Sequence, residues 1–278
     1  CHETMVVACL EAGAHVYCEK PMASDLESAD RICATSERTG RKVAIAHQAV
    51  YLPQVQRIKE MIEEGRIGDV ISIYSAGKCD RRGGGEDMMV LGTHTFNLMR
   101  FFVGDVAWMF GRVTQDDQDI TAADVREAGE PIGPIAGDRV HSFFAFESGV
   151  TATFETRARE VTDGQTYGLE LIGSEGRIAF NASANQVAIL EDTAFSPWVA
   201  DQHRSAVEPG PVPLQGGNSL AIEDLVRCAE NDAQPQSSAF DARGALEMIL
   251  GAYASQIAGG RVSLPLEDRV HPLERLRG

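Results

Sequence analysis

The chain has 278 residues, 44% of them hydrophobic and 24% charged, with 41 Asp plus Glu against 25 Lys plus Arg and a net charge of −16. That length suits two domains or one large one, and a full core that needs no disulfide or structural metal. The acidic balance argues against nucleic acid and anionic membranes, which call for a basic face, and no run approaches the roughly 18 apolar residues that span a bilayer.

The chain opens Cys1-His2-Glu3, already inside a helical pattern and without Met. The expectation is a fragment or a chain whose natural start was lost, so targeting is not legible. Cys1, Cys9, Cys18, Cys33, Cys79 and Cys228 are scattered and form no C-x-x-C pair. They read as free thiols in a reducing compartment, hence cytoplasmic.

Residues 5–12 and Gly13 read as an apolar helix closed by glycine. His15-Val16-Tyr17-Cys18 is a short buried strand. Ser24 with Glu27 reads as a capping box, opening a helix with Leu26, Ala29, Ile32 and Cys33 on one face and Gly40 at its end. Lys42 to Ala46 is a second strand, and Val55, Ile58, Met61 and Ile62 mark a helix stopped by Gly65. This alternation implies parallel strands with helices on their faces. It looks like the second half of a doubly wound domain.

From Val70 the pattern changes. A strand at 70–74, a loop at 79–87 and an apolar helix at 88–102 precede strands joined by turns at Ser148-Gly149 and Ser174-Glu175-Gly176. Such a series makes an antiparallel sheet. Residues 115–138 and 193–217 read as loop excursions. Stripes at Ile222, Leu225, Val226, Ala229 and at Leu246, Ile249, Leu250, Tyr253, Ala254, Ile257 predict two closing helices.

Cys18-Glu19-Lys20-Pro21 sits where a parallel strand hands over to a loop. Ligands bind at the carboxyl ends of such strands, so Lys20 faces a ligand or is a surface lysine on a proline-fixed turn. His94, alone on an apolar helix, is a satisfied core residue or a proton acceptor.

The run from His15 through Glu19-Lys20-Pro21 to Ala23 resembles the Glu-Lys-Pro signature of the Gfo/Idh/MocA oxidoreductases, the glucose–fructose oxidoreductase and inositol dehydrogenase family. Ile62 to Asp69, Gly83-Gly84-Gly85 with Leu91-Gly92-Thr93-His94 and Gly104-Asp105, Asn218 to Glu230, and Tyr253 to Leu266 carry the resemblance through nearly the whole chain. It implies an α/β fold: a partial Rossmann domain, a doubly wound parallel sheet, followed by an α+β domain with a large, open, mainly antiparallel sheet. The expected divisions are residues 1–49 for the Rossmann part with its first half missing, 50–260 for the substrate and oligomerisation domain, and 261–278 for a tail.

The resemblance also implies NAD or NADP as cofactor and a sugar, cyclitol or related polyol as substrate. Lys20 and His94 become the catalytic pair: histidine takes the hydroxyl proton and lysine stabilises the oxygen. Two alternatives share the scaffold: a non-catalytic sugar- or cofactor-binding relative, and an NAD-dependent enzyme of redox-assisted glycoside cleavage.

The chain departs from the family at Val90, where many members place an aspartate four residues before the histidine. Asp87 lies two turns before His94 on the same face, roughly 10 Å along the axis and too far to substitute directly. His2, Glu19, Lys20, Pro21 and Gln48 are the expected cofactor contacts; Arg81, Arg82 and Asp87 are weaker substrate-binding candidates. Gly83-Gly84-Gly85 either cradles an anion or makes a tight turn. His47, His141, His203 and His271 show no metal-ligand spacing, so no metal is expected.

A nicotinamide site also needs a glycine-rich turn after the first strand. None stands in a strand–turn–helix setting here, and at about 30 residues per βαβ unit the expected missing part is about 60–70 residues. The open sheet face is expected to be covered by another copy of the chain, as a dimer or tetramer.

Overall fold

The computed structural model describes residues 2–158, 167–184, 186–190, 205–208 and 216–278. Its first layer alternates: α1 (His2–Glu11), β1 (Val16–Cys18), α2 (Leu26–Thr39), β2 (Val43–Ile45), a 3-10 turn (Gln48–Tyr51) and α3 (Pro53–Glu63). β1 and β2 pair in parallel, with Val16 opposite Val43 and Cys18 opposite Ile45. α2 buries Leu26, Ala29, Ile32 and Cys33 and ends at Gly40, whose φ of 66° is left-handed. Its cap is Asp25 rather than Ser24. The Asp25 carboxylate accepts from the Ser28 amide at 2.8 Å and the Ser28 hydroxyl at 3.1 Å, so the ionised acceptor sets the start one residue later.

The second layer begins with β3 (Val70–Ala76). A helix then runs in three pieces: α4 (Gly85–Asp87), a π-type turn (Met88–Gly92) and α5 (Thr93–Val103). β4 (Val106–Gln115), β5 (Gln118–Asp119), β6 (Arg126–Glu127), β7 (Pro134–Ile135), β8 (Arg139–Phe146), β9 (Thr151–Arg157), β10 (Gly168–Gly173), β11 (Arg177–Asn181), β12 (Gln186–Leu190) and β13 (Ser205–Ala206) follow. The chain closes with α6 (Gly216–Glu230), α7 (Ala239–Ala258), β14 (Val262–Ser263) and α8 (Pro272–Arg277).

Ten strands form one sheet in the order β13-β12-β11-β10-β3-β9-β8-β4-β14, with β5 on β4. The pairing is antiparallel except between β3 and β9, which run parallel. β3 enters the middle of the sheet because a long connection separates it from β9, and parallel neighbours require such a crossover. Alternation divides the faces. Ile73, Val113, Phe144, Phe154 and Ile178 are buried on one side, whereas Tyr74 and Phe110 on the other are 50% and 44% exposed.

The helix carrying His94 lies on the buried face. Phe96 meets Phe144 at 5.3 Å and Phe154 at 4.7 Å, both edge-on, a favoured aromatic geometry. α7 crosses β4 so closely that a Cβ on Gly111 would stand 2.6 Å from the Ala252 Cα.

Gly83-Gly84-Gly85 is a squeeze point. A Cβ on Gly83 would meet the Arg157 backbone at 2.0 Å, and one on Gly84, at φ +84°, would meet the Gly137 carbonyl at 2.3 Å. Their amides are committed: Gly83 to Asp80 O, Gly84 to Thr156 Oγ1 and Gly85 to Gly137 O. The glycines therefore admit close backbone passage; they do not cradle an anion.

Two readings shift. Residues 115–138 are not a bare loop: they hold β5, a capped 3-10 turn at Ala122–Asp124, β6 and β7. In α6 the buried residues include Ala221, Leu225 and Cys228, while Ile222 and Val226 are 46% and 52% exposed. Asp224 turns that helix inward, because its buried carboxylate accepts from the Gln236 amide at 2.9 Å. The stretch 193–217 lies largely outside the described residues. Among the described residues no helix is long and apolar enough to cross a membrane.

Candidate active site

The carboxyl end of β1 delivers Glu19-Lys20-Pro21, and the Lys20–Pro21 peptide is cis. His2 at the start of α1 holds this loop, its Nδ1 lying 3.0 Å from the Pro21 carbonyl. His2, Glu19, Lys20 and Pro21 line a cavity of about 250 Å³ together with Glu130, Pro131 and Ile132. Four expected cofactor contacts thus share one wall.

Lys20 is half-buried, and its Nζ donates to the Val90 carbonyl at 3.0 Å. That carbonyl belongs to the π-type turn, where the helical ladder is widened. The next carbonyl, Leu91, accepts from the Tyr167 hydroxyl at 3.1 Å. So position 90 meets the lysine through its backbone, and the valine side chain is buried.

His94 stands four residues further along the helix and is also buried. His47, at the carboxyl end of β2, meets it edge-on with ring centroids 5.4 Å apart. The His47 Nδ1 is 2.9 Å from Ser237 Oγ and its Nε2 is 2.9 Å from Thr93 Oγ1. With both nitrogens committed, His47 is a fixed wall behind the His94 ring.

Burial sets the electrostatics. It pushes His47 down to about 3, helped by the Lys20 charge. It also holds His94 well below its ordinary value, with His47 and Lys20 adding to the effect. Both imidazoles are therefore neutral at neutral pH. Burial lowers Lys20 as well, against the pull of Glu130 and Glu19. A neutral imidazole beside a half-buried ammonium is a proton acceptor next to an oxyanion stabiliser.

The remaining candidates separate. Arg82 reaches the site's edge, pairing with Asp80 at 3.3 Å and Glu130 at 3.7 Å. Arg81 is exposed. Gln48 is half-buried, and its carbonyl packs where a Cβ on Gly217 would come within 2.4 Å; it is not part of the Lys20 cavity wall. Asp87 is fully buried, and its Oδ2 accepts from the Cys79 amide and the Thr156 hydroxyl. The π-type turn adds a residue between Asp87 and His94, which rotates their faces apart by about 100°. Among the described residues Asp87 Oδ1 has no partner, and burial pushes this acid up.

Sequence reasoning placed Gln48 at the site and passed over its neighbour His47. The available signal was position, one residue past a parallel strand. Glu130 and Tyr167 carried no signal, since each arrives from a distant loop. A larger hollow of about 790 Å³ lies on the open sheet face, between Tyr74, Phe110 and Phe143. It holds neither Lys20 nor His94, whereas the smaller cavity holds Lys20, and His94 lies beneath it outside either lining.

The description "Oxidoreductase family, NAD-binding Rossmann fold" matches residues 1–47, and "GFO/IDH/MocA C-terminal domain" matches residues 55–179. D-apiose dehydrogenase of Paraburkholderia graminis is 24% identical, over 95% of this chain and 70% of that enzyme. Levoglucosan dehydrogenase of Pseudarthrobacter phenanthrenivorans is 25% identical, over 69% of this chain and 56% of its own length. Myo-inositol 2-dehydrogenase of Thermotoga maritima is 24% identical, over the same shares. The match thus spans just over half of two of these three relatives. Among solved structures, levoglucosan dehydrogenase in complex with NADH and levoglucosan superposes with a TM-score of 0.75 at 18% identity, covering 95% of this chain and 78% of that one. A Klebsiella pneumoniae NAD-binding oxidoreductase gives 0.74 at 19% identity, covering 96% and 77%.

Proposed function

This chain belongs to the GFO/IDH/MocA oxidoreductase family, and from that premise we propose that it oxidises a secondary hydroxyl of a sugar, cyclitol or related polyol, or runs the reverse reduction. The observation that carries the reading is the convergence of Lys20, on the loop after β1, with His94, on the helix beneath it.

The residues present fit the reactive end of a nicotinamide cofactor. A half-buried lysine and a 250 Å³ cavity lie at the carboxyl end of the parallel strand β1, where such ligands bind. His2, Glu19 and Pro21 would hold that end. The cofactor supplies the hydride acceptor when bound. The glycine-rich pyrophosphate turn is not among the residues of this sequence.

The chain's own residues do the proton work. The neutral His94 takes the hydroxyl proton as the carbon is oxidised. Lys20 donates to the same oxygen while negative charge develops on it. His47, anchored to Ser237 and Thr93, keeps the His94 ring in place and water out.

The test is a panel of polyols and sugars with the full-length protein, following reduced nicotinamide by absorbance. Substrate-dependent reduction with a defined regiochemistry is the expected result. No reduction with any polyol, alongside measurable binding, would instead favour a binding relative, a reading that the apolar Val90 side chain motivates.

The open sheet face is proposed to be covered by a second copy. Trp108 and Phe143 lie 5.5 Å apart on it, beside the exposed Tyr74 and Phe110, and an apolar sheet face must be covered. Light scattering of the full-length protein is expected to give at least a dimer mass; a monomer mass would refute it.

A further inference from the structure

We propose that Glu130 is a specificity-determining residue: its carboxylate accepts a hydrogen bond from a hydroxyl next to the reacting one and restricts the site to neutral polyols. This rests on the polyol reading above and names the substrate class within it.

The geometry starts from the loop that leads into β7. Ile132 is buried, and its amide donates back to the Glu130 carbonyl at 2.8 Å. Gly133, at φ +87°, lies so close to the segment leading into α2 that a Cβ there would come 2.7 Å from the Ser24 Cβ. The loop is thereby seated on the segment just past Glu19-Lys20-Pro21. Glu130, Pro131 and Ile132 line the same cavity as Lys20, and the Glu130 carboxylate is near enough to act on the Lys20 charge.

The Glu130 side chain remains 51% exposed, open to a ligand. The helix offers no acid at position 90, where the family pattern has one. Glu130 brings a carboxylate to the same lysine from a different loop.

Charge decides the substrate class. The cations in and beside the cavity are Lys20, Arg82 and Lys78, the last pairing with Asp80 at 3.7 Å, and the carboxylates are Glu19, Glu130 and Asp80. Arg82 is held between Asp80 and Glu130, so its guanidinium is already answered. Lys20 faces Glu19 and Glu130, with Arg82, His47 and His94 as its other charged or titratable neighbours. A sugar acid or sugar phosphate would add a fourth negative group to a set whose cations each already face a carboxylate. A neutral polyol can donate to Glu130 while its reacting oxygen accepts from Lys20.

The experiment uses the full-length protein with Glu130→Gln and Glu130→Asp. A hydrogen bond to a charged acceptor predicts a fall in kcat/KM for the neutral polyol of about 10–100-fold in Glu130→Gln, mostly in KM. The ratio of kcat/KM for the matching sugar acid over the neutral substrate is expected to rise, and Glu130→Asp to recover part of the loss. A second readout needs no turnover. The pH midpoint of Lys20 amine modification is expected to move down in Glu130→Gln, because an attractive charge is removed.

If Glu130→Gln leaves kcat/KM and the acid-to-neutral ratio within twofold of wild type, the proposal is overturned. If the wild type turns over no polyol, the parent reading fails, and calorimetry then decides the role of Glu130. Polyol binding weakened at least tenfold by Glu130→Gln supports it. Unchanged affinity, or no polyol binding by the wild type, overturns it.

Discussion

Lys20→Met in the full-length protein is expected to lower kcat/KM by about 10²–10³-fold, the usual cost of removing one oxyanion donor from a preorganised site. Methionine keeps an unbranched stem of similar reach, so packing against Pro21 and the cavity wall survives. What disappears is the ammonium that donates to the Val90 carbonyl and would donate to the substrate oxygen. The loss belongs mainly in kcat, because charge on that oxygen develops only as the carbon is oxidised. Thermal unfolding should barely change, since the lysine makes one neutral-acceptor hydrogen bond, worth about 1 kcal/mol. Turnover within tenfold of wild type would remove Lys20 from the mechanism.

His94→Asn should cost about 10²–10⁴-fold, the range for a positioned general base, and should also reshape the pH profile. The direction follows from burial. His94 is held well below its ordinary value, so its neutral, proton-accepting form persists as pH falls below about 6.5. Activity in the oxidation direction should therefore decline only when pH drops through that lowered value. Lys20 is lowered from its ordinary value too. Its ammonium is lost as pH rises through the folded value, so the alkaline limb should fall below about 10.4. The wild type is expected to show a broad bell in kcat/KM. His94→Asn should remove the acid limb and keep the alkaline one, and Lys20→Met the reverse. An acid limb that survives in His94→Asn would assign the base to another group.

How much was legible depended on how local the signal was. The alternation of α1, β1, α2 and β2 could be read because the two hydrophobic periods are written along the chain and glycine marks the ends. Lys20 could be read because it follows a strand end directly and stands in a recognisable signature. The cap of α2 was misread by one residue because Ser24 and Asp25 are both competent acceptors, and only the bonds to Ser28 decide between them.

The inward face of α6 was misread for a related reason. Ile222 and Val226 are apolar enough for a core stripe, yet the buried carboxylate of Asp224 turns the helix another way. Asp87 looked placed on the His94 face because an unbroken α-helix was assumed. A π-type turn has no residue signature, and it alone moved Asp87 to Thr156 and presented the Val90 carbonyl to Lys20.

By itself, then, the sequence determined the layer types, the strand–loop position of Lys20, the helix that bears His94 and the family to which both belong. These follow from propensity, periodicity and contiguous motifs, which act over a few residues. Only the tertiary structure decided that His47 backs His94, that Gly83-Gly84-Gly85 is a close passage with its amides already taken, and that Glu130 shares a cavity with Lys20. These contacts join residues that lie far apart in the chain. They are selected by burial and packing of the whole domain, and no local pattern of residues encodes them.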